Sequence, residues 1–200
     1  EHKAHFVTLD EFIKYKEDGK FPKNCVWINF DDMDESIYDN AFPLMKKYDV
    51  HATGFVITGK VGSDDFHNIS LSSKKELLKM KRSGLWDFAS HTHNMHSMKK
   101  KTSTLIKSAE TTGIKKDMNK STQYIKDELD GNTRAIAYPY GQMSDEVVDQ
   151  LKADTSIKYG FTLKEKAVVA DNDNYIIPRV MVSDDAFNKL VKNWKGFNHE

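Results

Sequence analysis

An α/β fold of parallel strands covered by helices, closed or nearly closed into a barrel, is predicted by three features of this 200-residue chain. Short β-rich runs alternate repeatedly with amphipathic helical stretches, the pattern of a parallel sheet with helical crossovers. No internal repeat, low-complexity tract or Pro/Gly-rich linker interrupts that alternation. Polar clusters follow directly on predicted strands, where parallel α/β folds gather their working residues. The length suits one domain with a substantial core and not two large ones, so a single domain over 1–200 is expected.

Taken in order, Cys25-Val-Trp-Ile-Asn-Phe30 predicts a buried strand ending in Asp31-Asp32. Ile37, Ala41, Leu44, Met45 and Tyr48 fall at helical spacing and predict a helix over Ser36 to Tyr48. Thr53 to Thr58 is a second strand. Ser73 to Arg82 is a helix, with Ser73 and Glu76 as a capping box and Gly84 as the stop. Leu85 to Ser90 is a third strand that delivers a histidine cluster. Leu105 to Leu129 is mostly helical, with a break at Gly113. Arg134 to Tyr138 is a strand running into Pro139-Tyr-Gly141, Ser144 to Ala153 a helix, Tyr159 to Leu163 and Tyr175 to Val182 strands, and Asp184 to Trp194 a closing helix.

Composition excludes several classes. Hydrophobic residues make up 38% and charged residues 30%, as in folded globular chains. The formal net charge is zero, so no global field draws nucleic acid or an anionic membrane, and neither is expected as a partner. The basic runs Lys99 to Lys101 and Lys115-Lys116 read as solvated faces. No apolar run approaches a membrane span. The one cysteine, Cys25, heads an apolar run and reads as a buried thiol; it excludes an intramolecular disulfide. The chain starts at Glu1 without Met or a signal-like segment, as a processed or truncated export product would, and equally a fragment cut by design.

Three clusters carry chemistry. In Phe30-Asp31-Asp32, side-chain alternation at a strand end points the two carboxylates apart, so one can bind a cation while the other takes a proton. A plain acidic turn is the bland alternative, since Asp34 and Glu35 follow. In Ser90-His-Thr-His-Asn-Met-His96, three of the eight histidines stand within six residues, and neutral imidazole is the commonest metal-ligating side chain. His91 and His96 are spaced to turn back onto one ion, but chemistry alone does not fix which two of the three ligate; His93 is a candidate for a supporting role or a substrate contact. Two His and one carboxylate leave coordination positions open for water and substrate, as in catalytic rather than structural sites. In Ala137-Tyr-Pro-Tyr-Gly141, Pro and Gly fix a turn and an aromatic there can wall a pocket. Trp86, Tyr140 and Trp194 are candidates to line a binding groove, with core packing preferred for Trp27 and Trp86.

In this order and separation the three clusters resemble the polysaccharide deacetylases of carbohydrate esterase family 4, the NodB-homology domain. The family's Thr-Phe-Asp-Asp-Gly corresponds to Asn29-Phe-Asp-Asp-Met33, its His-Ser/Thr motif with a second His to His91-Thr92 and His96, and its later Pro-Tyr to Pro139-Tyr140. The segments Phe30 to Tyr38, Ser90 to His96 and Ala137 to Gly141 look like the intercellular-adhesion branch, the poly-β-1,6-N-acetylglucosamine N-deacetylases of biofilm systems. The resemblance implies a distorted (β/α) barrel, metal-dependent N-deacetylation, Asp31 as catalytic base, Asp32, His91 and His96 as metal ligands, and Tyr140, next to Pro139, holding the oxyanion through its N–H. It implies a divalent cofactor, Zn²⁺ first and Co²⁺ or Ni²⁺ as alternatives. An N-acetylglucosamine polymer is the expected partner, with a monomer in a secreted or cell-surface location. Peptidoglycan or chitin-like oligomers are the alternative substrates, and a non-catalytic carbohydrate-binding relative the alternative class. Asn29 and Met33 depart from the family's Thr and Gly. Arg134 lies five positions before Pro139, too far for the family's base-orienting arginine. Ile177 to Val182 holds no histidine to serve as general acid, and the late histidine is His199.

Overall fold

The computed structural model describes residues 4–110 and 113–188. The chain opens with β1 (His5–Phe6) and α1 (Leu9–Glu17). Thr8 and Glu11 close a capping box on α1, and its Leu9, Phe12 and Ile13 are buried. The sequence reading did not anticipate this helix.

The strand expected over Cys25 to Phe30 divides into β2 (Cys25–Val26), paired in parallel with β1, and β3 (Ile28–Phe30). The break falls at Trp27. Its indole N–H donates to Thr53 Oγ1 at 2.9 Å, and its ring packs on Phe12, Phe55 and Phe161. The next helix begins as a π-turn (Ile37–Ala41) and continues as α2 (Phe42–Tyr48). Then follow β4 (Ala52–Val56), α3 (Lys74–Arg82) with the expected Ser73–Glu76 box, and β5 (Trp86–Ser90). A small hairpin, β6 (Met98–Lys99) and β7 (Thr102–Ser103), precedes α4 (Thr104–Lys107), the 3₁₀ turn Ser108–Glu110 and α5 (Gly113–Leu129). The remaining elements are β8 (Ala135–Ala137), the 3₁₀ turn Pro139–Gly141, α6 (Asp145–Asp154), β9 (Tyr159–Phe161) and α7 (Asp184–Phe187). The strand expected over Tyr175 to Val182 is reduced to one parallel bridge from Ile177 to Phe161, because Pro178 has no N–H to extend a ladder. The closing helix is described as far as α7; Trp194 and His199 lie outside the described residues.

Five strands form one parallel sheet in the order β3-β4-β5-β8-β9, curled into a half-barrel with helices against it, which agrees with the distorted (β/α) barrel expected. Period-two alternation divides the core. Phe55, Ala89, Ala135, Ala137 and Phe161 face one cluster, closed by Leu9, Phe12 and Ile13 of α1 together with Trp27. Val56, Trp86 and Phe88 face another, against Leu77 and Met80 of α3 and Ile125 and Leu129 of α5. Ile136 and Tyr138 join Met118 of α5 and Val147 and Leu151 of α6 in a third. Trp86 is thus a core residue, as expected, and Trp27 packs partly buried against the first cluster. Cys25 is half-buried, and burial first, then the charge of Glu11, pushes its thiol up to about 11, which leaves it unreactive.

Candidate active site

The sheet brings the carboxyl ends of β3, β5 and β8 to one rim, and the three sequence clusters meet there. β3 delivers Asp31 and Asp32, β5 delivers His91 to His96, and β8 leads into Pro139-Tyr140.

Among the described residues, Asp32, His91 and His96 form the group whose ligand atoms all lie within 4.8 Å of one another. Nε2 of His91 and Nε2 of His96 stand 3.3 and 3.1 Å from Asp32 Oδ1. His91 Nδ1–H donates to the Ala137 carbonyl at 2.7 Å, which fixes the tautomer and turns Nε2 toward Asp32. Asp32 Oδ1 and His96 Nδ1 are buried without a hydrogen-bond partner. A carboxylate oxygen buried without a donor is costly by itself, and a cation shared with two imidazole nitrogens would satisfy it. The mixed N/O donor set fits a divalent ion such as Zn²⁺ with positions left open.

His93 takes no part in this group. Its Nδ1 shares a hydrogen bond of 3.1 Å with Thr58 Oγ1. The loop between His91 and His96 is held from outside by Asp117 of α5. That buried carboxylate accepts the N–H groups of His93 and Asn94 at 2.7 and 2.8 Å. Burial pushes its pKa up despite those two bonds. Thr92 adopts φ 73°, a left-handed turn that reverses the loop, and its Oγ1 accepts from the Met95 N–H.

Asp31 points to the neighbouring compartment. Arg179 grips it bidentately, Nη1 to Oδ1 at 2.7 Å and Nη2 to Oδ2 at 2.8 Å. The guanidinium also donates to Asn29 Oδ1 (2.7 Å) and the Thr162 carbonyl (3.2 Å), and lies over the Phe55 ring. Burial works against the charged Asp31. The charge of His91 and the Arg179 bonds and charge outweigh it and hold the carboxyl below its ordinary value. Asp32 is likewise lowered against burial, by the close approach and charge of His91, whose Nε2 stands 3.3 Å away, and by the charge of His96. His96 is pushed down to about 4, by burial first and then by the charge of His91. His91 is raised, because Asp31 and Asp32 outweigh its burial.

Arg179 is the functional residue that sequence reasoning missed. Arg134, considered and set aside there, is a surface residue paired with Glu17 at 3.1 Å. The arginine beside Asp31 comes instead from the late segment, positioned where Ile177 joins β9. A lone charge inside Ile176-Ile-Pro-Arg-Val-Met-Val182 was the available signal. The two departures from the family pattern also find uses. Asn29 holds Arg179. Met33 adopts φ 61°, where glycine is the unstrained residue, and buries its side chain completely. Gly54 makes the room, since a Cβ there would fall 2.4 Å from Met33 Sδ and 2.9 Å from the Phe88 ring. Burial of the thioether, worth about 1.5–3 kcal/mol, offsets the roughly 1–2 kcal/mol of left-handed strain.

Tyr140 is also left-handed, at φ 59°. Its ring lies 4.7 Å from that of His96, and Pro139 before it is buried. His96 thus touches the rings of His91 at 4.6 Å, Tyr140 and, at 5.9 Å, Phe66.

Comparison with known proteins agrees with this geometry. The sequence profile of polysaccharide deacetylases matches residues 18–159. The poly-β-1,6-N-acetyl-D-glucosamine N-deacetylase of Staphylococcus epidermidis is 54% identical over 199 residues, covering 100% of this chain and 68% of that protein. That of Staphylococcus aureus is 52% identical over 200 residues, with the same coverage. Among solved structures, IcaB from Ammonifex degensii superposes with a TM-score of 0.81 at 28% identity, covering 94% of this chain and 81% of that one. The Streptococcus pyogenes deacetylase PplD in complex with acetate gives 0.72 at 27% identity, covering 90% and 74%. The chain belongs to the polysaccharide deacetylase family.

Proposed function

We propose that this chain hydrolyses the acetamide groups of poly-β-1,6-N-acetyl-D-glucosamine, releasing acetate and leaving free amines, with Zn²⁺ as the resident ion. The observation that carries the reading is the pairing of a clamped carboxylate, Asp31 on Arg179, with an adjacent open donor set, Asp32, His91 and His96. The relatives named for this reaction match the whole chain at 52–54% identity.

Asp32, His91 and His96 would hold the ion. When bound, it would lower the pKa of water and polarise the acetamide carbonyl. Asp31 is the base: its lowered pKa keeps it ionised through the neutral range, and Arg179 fixes both oxygens so that the carboxylate meets the water proton without searching. Ala137 holds the His91 ring in the ligating tautomer. We assign the Tyr140 N–H to the developing oxyanion, as the family resemblance implies; its ring lying 4.7 Å from that of His96 supports this reading. The product amines are cationic near neutral pH, so a partly deacetylated polymer would adhere to anionic cell surfaces. We place the enzyme with its polymer, secreted or at the cell surface, and as a monomer.

The test is acetate release from β-1,6-linked N-acetylglucosamine oligomers after chelation, with Zn²⁺, Co²⁺ or Ni²⁺ restored, beside β-1,4 oligomers and an Asp31→Asn control. Zn²⁺-restored release that favours the β-1,6 linkage and collapses in the control is expected. Failure to release acetate from either linkage with metal bound would leave a carbohydrate-binding relative as the better reading.

A further inference from the structure

One aromatic beside the site has no part in the chemistry above. Phe66 stands at the base of a tight turn between β4 and α3. Its N–H donates to the Ile69 carbonyl (2.8 Å), and the Ile69 N–H returns to the Phe66 carbonyl (3.1 Å). The two residues between them, His67 and Asn68, have φ of 55° and 67°, as a two-residue turn with right-handed strand twist requires. The turn is strapped to the segment that carries the aspartates. Glu35 N–H donates to the Ser70 carbonyl at 2.9 Å, Ser72 N–H to the Met33 carbonyl at 2.8 Å, and Leu71 is buried. Phe66 is therefore presented by a preorganised loop. One contact of its half-exposed ring is with the ligating His96, at 5.9 Å, and the exposed His67 packs edge-on against it at 4.3 Å and 70°.

A large ring held rigidly and left partly open beside a reacting centre is poorly explained by core packing. Its apolar face matches the C–H face of a pyranose, and immobilising it in advance lowers the cost of ordering a flexible substrate. The β-1,6 linkage has an additional rotatable bond compared with β-1,4, so a chain of this type gains more from a fixed platform.

We propose that Phe66, braced by His67, is the stacking platform for the sugar whose acetamide is cut, and so a specificity-determining residue for the polymer. This rests on the deacetylase reading above. The platform acts on sugar and not on the acetyl group, so its removal separates two substrates: β-1,6-linked N-acetylglucosamine oligomers and a small chromogenic acetate ester that has no sugar ring.

Both substrates are to be measured with the Zn²⁺-loaded chain, Phe66→Ala, Phe66→Leu and Phe66→Trp, together with Zn²⁺ affinity. Phe66→Ala and Phe66→Leu are expected to lower the ratio of oligomer to ester kcat/KM about tenfold, mainly through KM, the scale of one lost aromatic contact. Phe66→Trp is expected to restore most of that ratio. Phe66→Leu keeps an apolar side chain in the turn, so the comparison survives a folding defect in the alanine variant. Equal losses on both substrates, or a parallel loss of Zn²⁺ affinity, would show that the ring only supports His96 and would overturn the proposal. An unchanged ratio would overturn it as well. If the native chain cleaves the ester and no oligomer, the deacetylase reading itself fails and takes the platform with it, an outcome visible before any substitution.

Discussion

The Asp31 side of the site and the Asp32 side differ in how their oxygens are occupied. Both carboxylate oxygens of Asp31 accept from Arg179, at 2.7 and 2.8 Å. Oδ1 of Asp32 is buried beside two imidazole nitrogens and accepts a hydrogen bond from nothing among the described residues. Adjacent in sequence and alike in chemistry, the two carboxylates are prepared for different tasks by their surroundings. A fully bonded, clamped carboxylate is oriented to take a proton in one direction. A carboxylate with an unmatched buried oxygen waits for a cation. The difference arises because β3 ends at Phe30 and the backbone turns left-handed at Asp32, φ 66°, which parts the two side chains toward the Arg179 segment on one side and the histidine loop on the other.

The sharpest way to break this comparison is to remove one charge at a time. Asp31→Asn is expected to cost 100-fold or more in kcat, the usual scale for a positioned general base, while Zn²⁺ still binds with close to native affinity. Asp32→Asn is expected to fail at the binding step. If isothermal titration shows that Asp31→Asn loses the metal as fully as Asp32→Asn, the division of labour is wrong. Arg179→Lys comes next, at roughly 10- to 100-fold in kcat, because a point charge cannot reproduce the two-pronged grip. With that clamp weakened, the Asp31 pKa rises, so the acid limb of the kcat/KM profile should move to higher pH. An unmoved limb would mean that Arg179 only supports the fold.

Proton competition gives a smaller, graded effect. In the metal-free chain, Asp31 and Asp32 overcome burial and hold the His91 proton above the ordinary imidazole value of 6.5, while burial and His91 leave His96 neutral down to about 4. A cation at His91 Nε2 must displace that proton. Metal affinity should therefore climb as pH rises through and above 6.5 and weaken below it. The stability linkage has the matching sign. A raised imidazole pKa stabilises the metal-free fold fully below the unfolded value of 6.5, and that stabilisation is lost as pH rises through the folded value. His96, lowered to about 4, contributes with the opposite sign below 6.5 and little above it, so thermal melts of the chelated chain should decline as pH rises above about 7, and melts of the Zn²⁺-loaded chain should not. A Zn²⁺ affinity that stays flat over that range would contradict the arrangement.

How much of this was legible in the sequence follows from distance along the chain. The aspartate pair, the histidine run and Pro139-Tyr140 are local strings directly after strands, so topology alone brings them to one rim. The Ser73–Glu76 box and the long helix to Leu129 show equally local signals. The grip on Asp31 does not. Arg179 stands 148 residues away, in a segment that reaches the sheet by a single bridge at Ile177 rather than by a full strand. Trp27 broke a strand that β-propensity predicts as continuous, because a partner in Thr53 and three aromatic rings outweigh two ladder bonds. Helix α1 was overlooked despite Thr8-Leu-Asp-Glu11, a readable capping signature. Met33 looked like a loss of the family's glycine, and only the space above Gly54 explains how a bulky residue holds that turn.

The weakest expected effect is the other arginine, and it sharpens the comparison by contrast. Arg134 pairs with Glu17 at 3.1 Å, with side chains 45% and 50% exposed, and lies over the Tyr159 ring. Solvent screens such a pair to about 0–1 kcal/mol. Arg179 differs in burial and in partner: its side chain is 6% exposed, it forks onto a carboxylate, and that carboxylate is Asp31, the base we propose. Arg134→Ala should therefore lower Tm by no more than a few degrees, about what 1 kcal/mol does in a chain of this size, with kcat on the oligomer within twofold of native. A tenfold drop in kcat would mean that the base receives its orientation from the β8 side after all, through Arg134, and that the Arg179 grip is secondary.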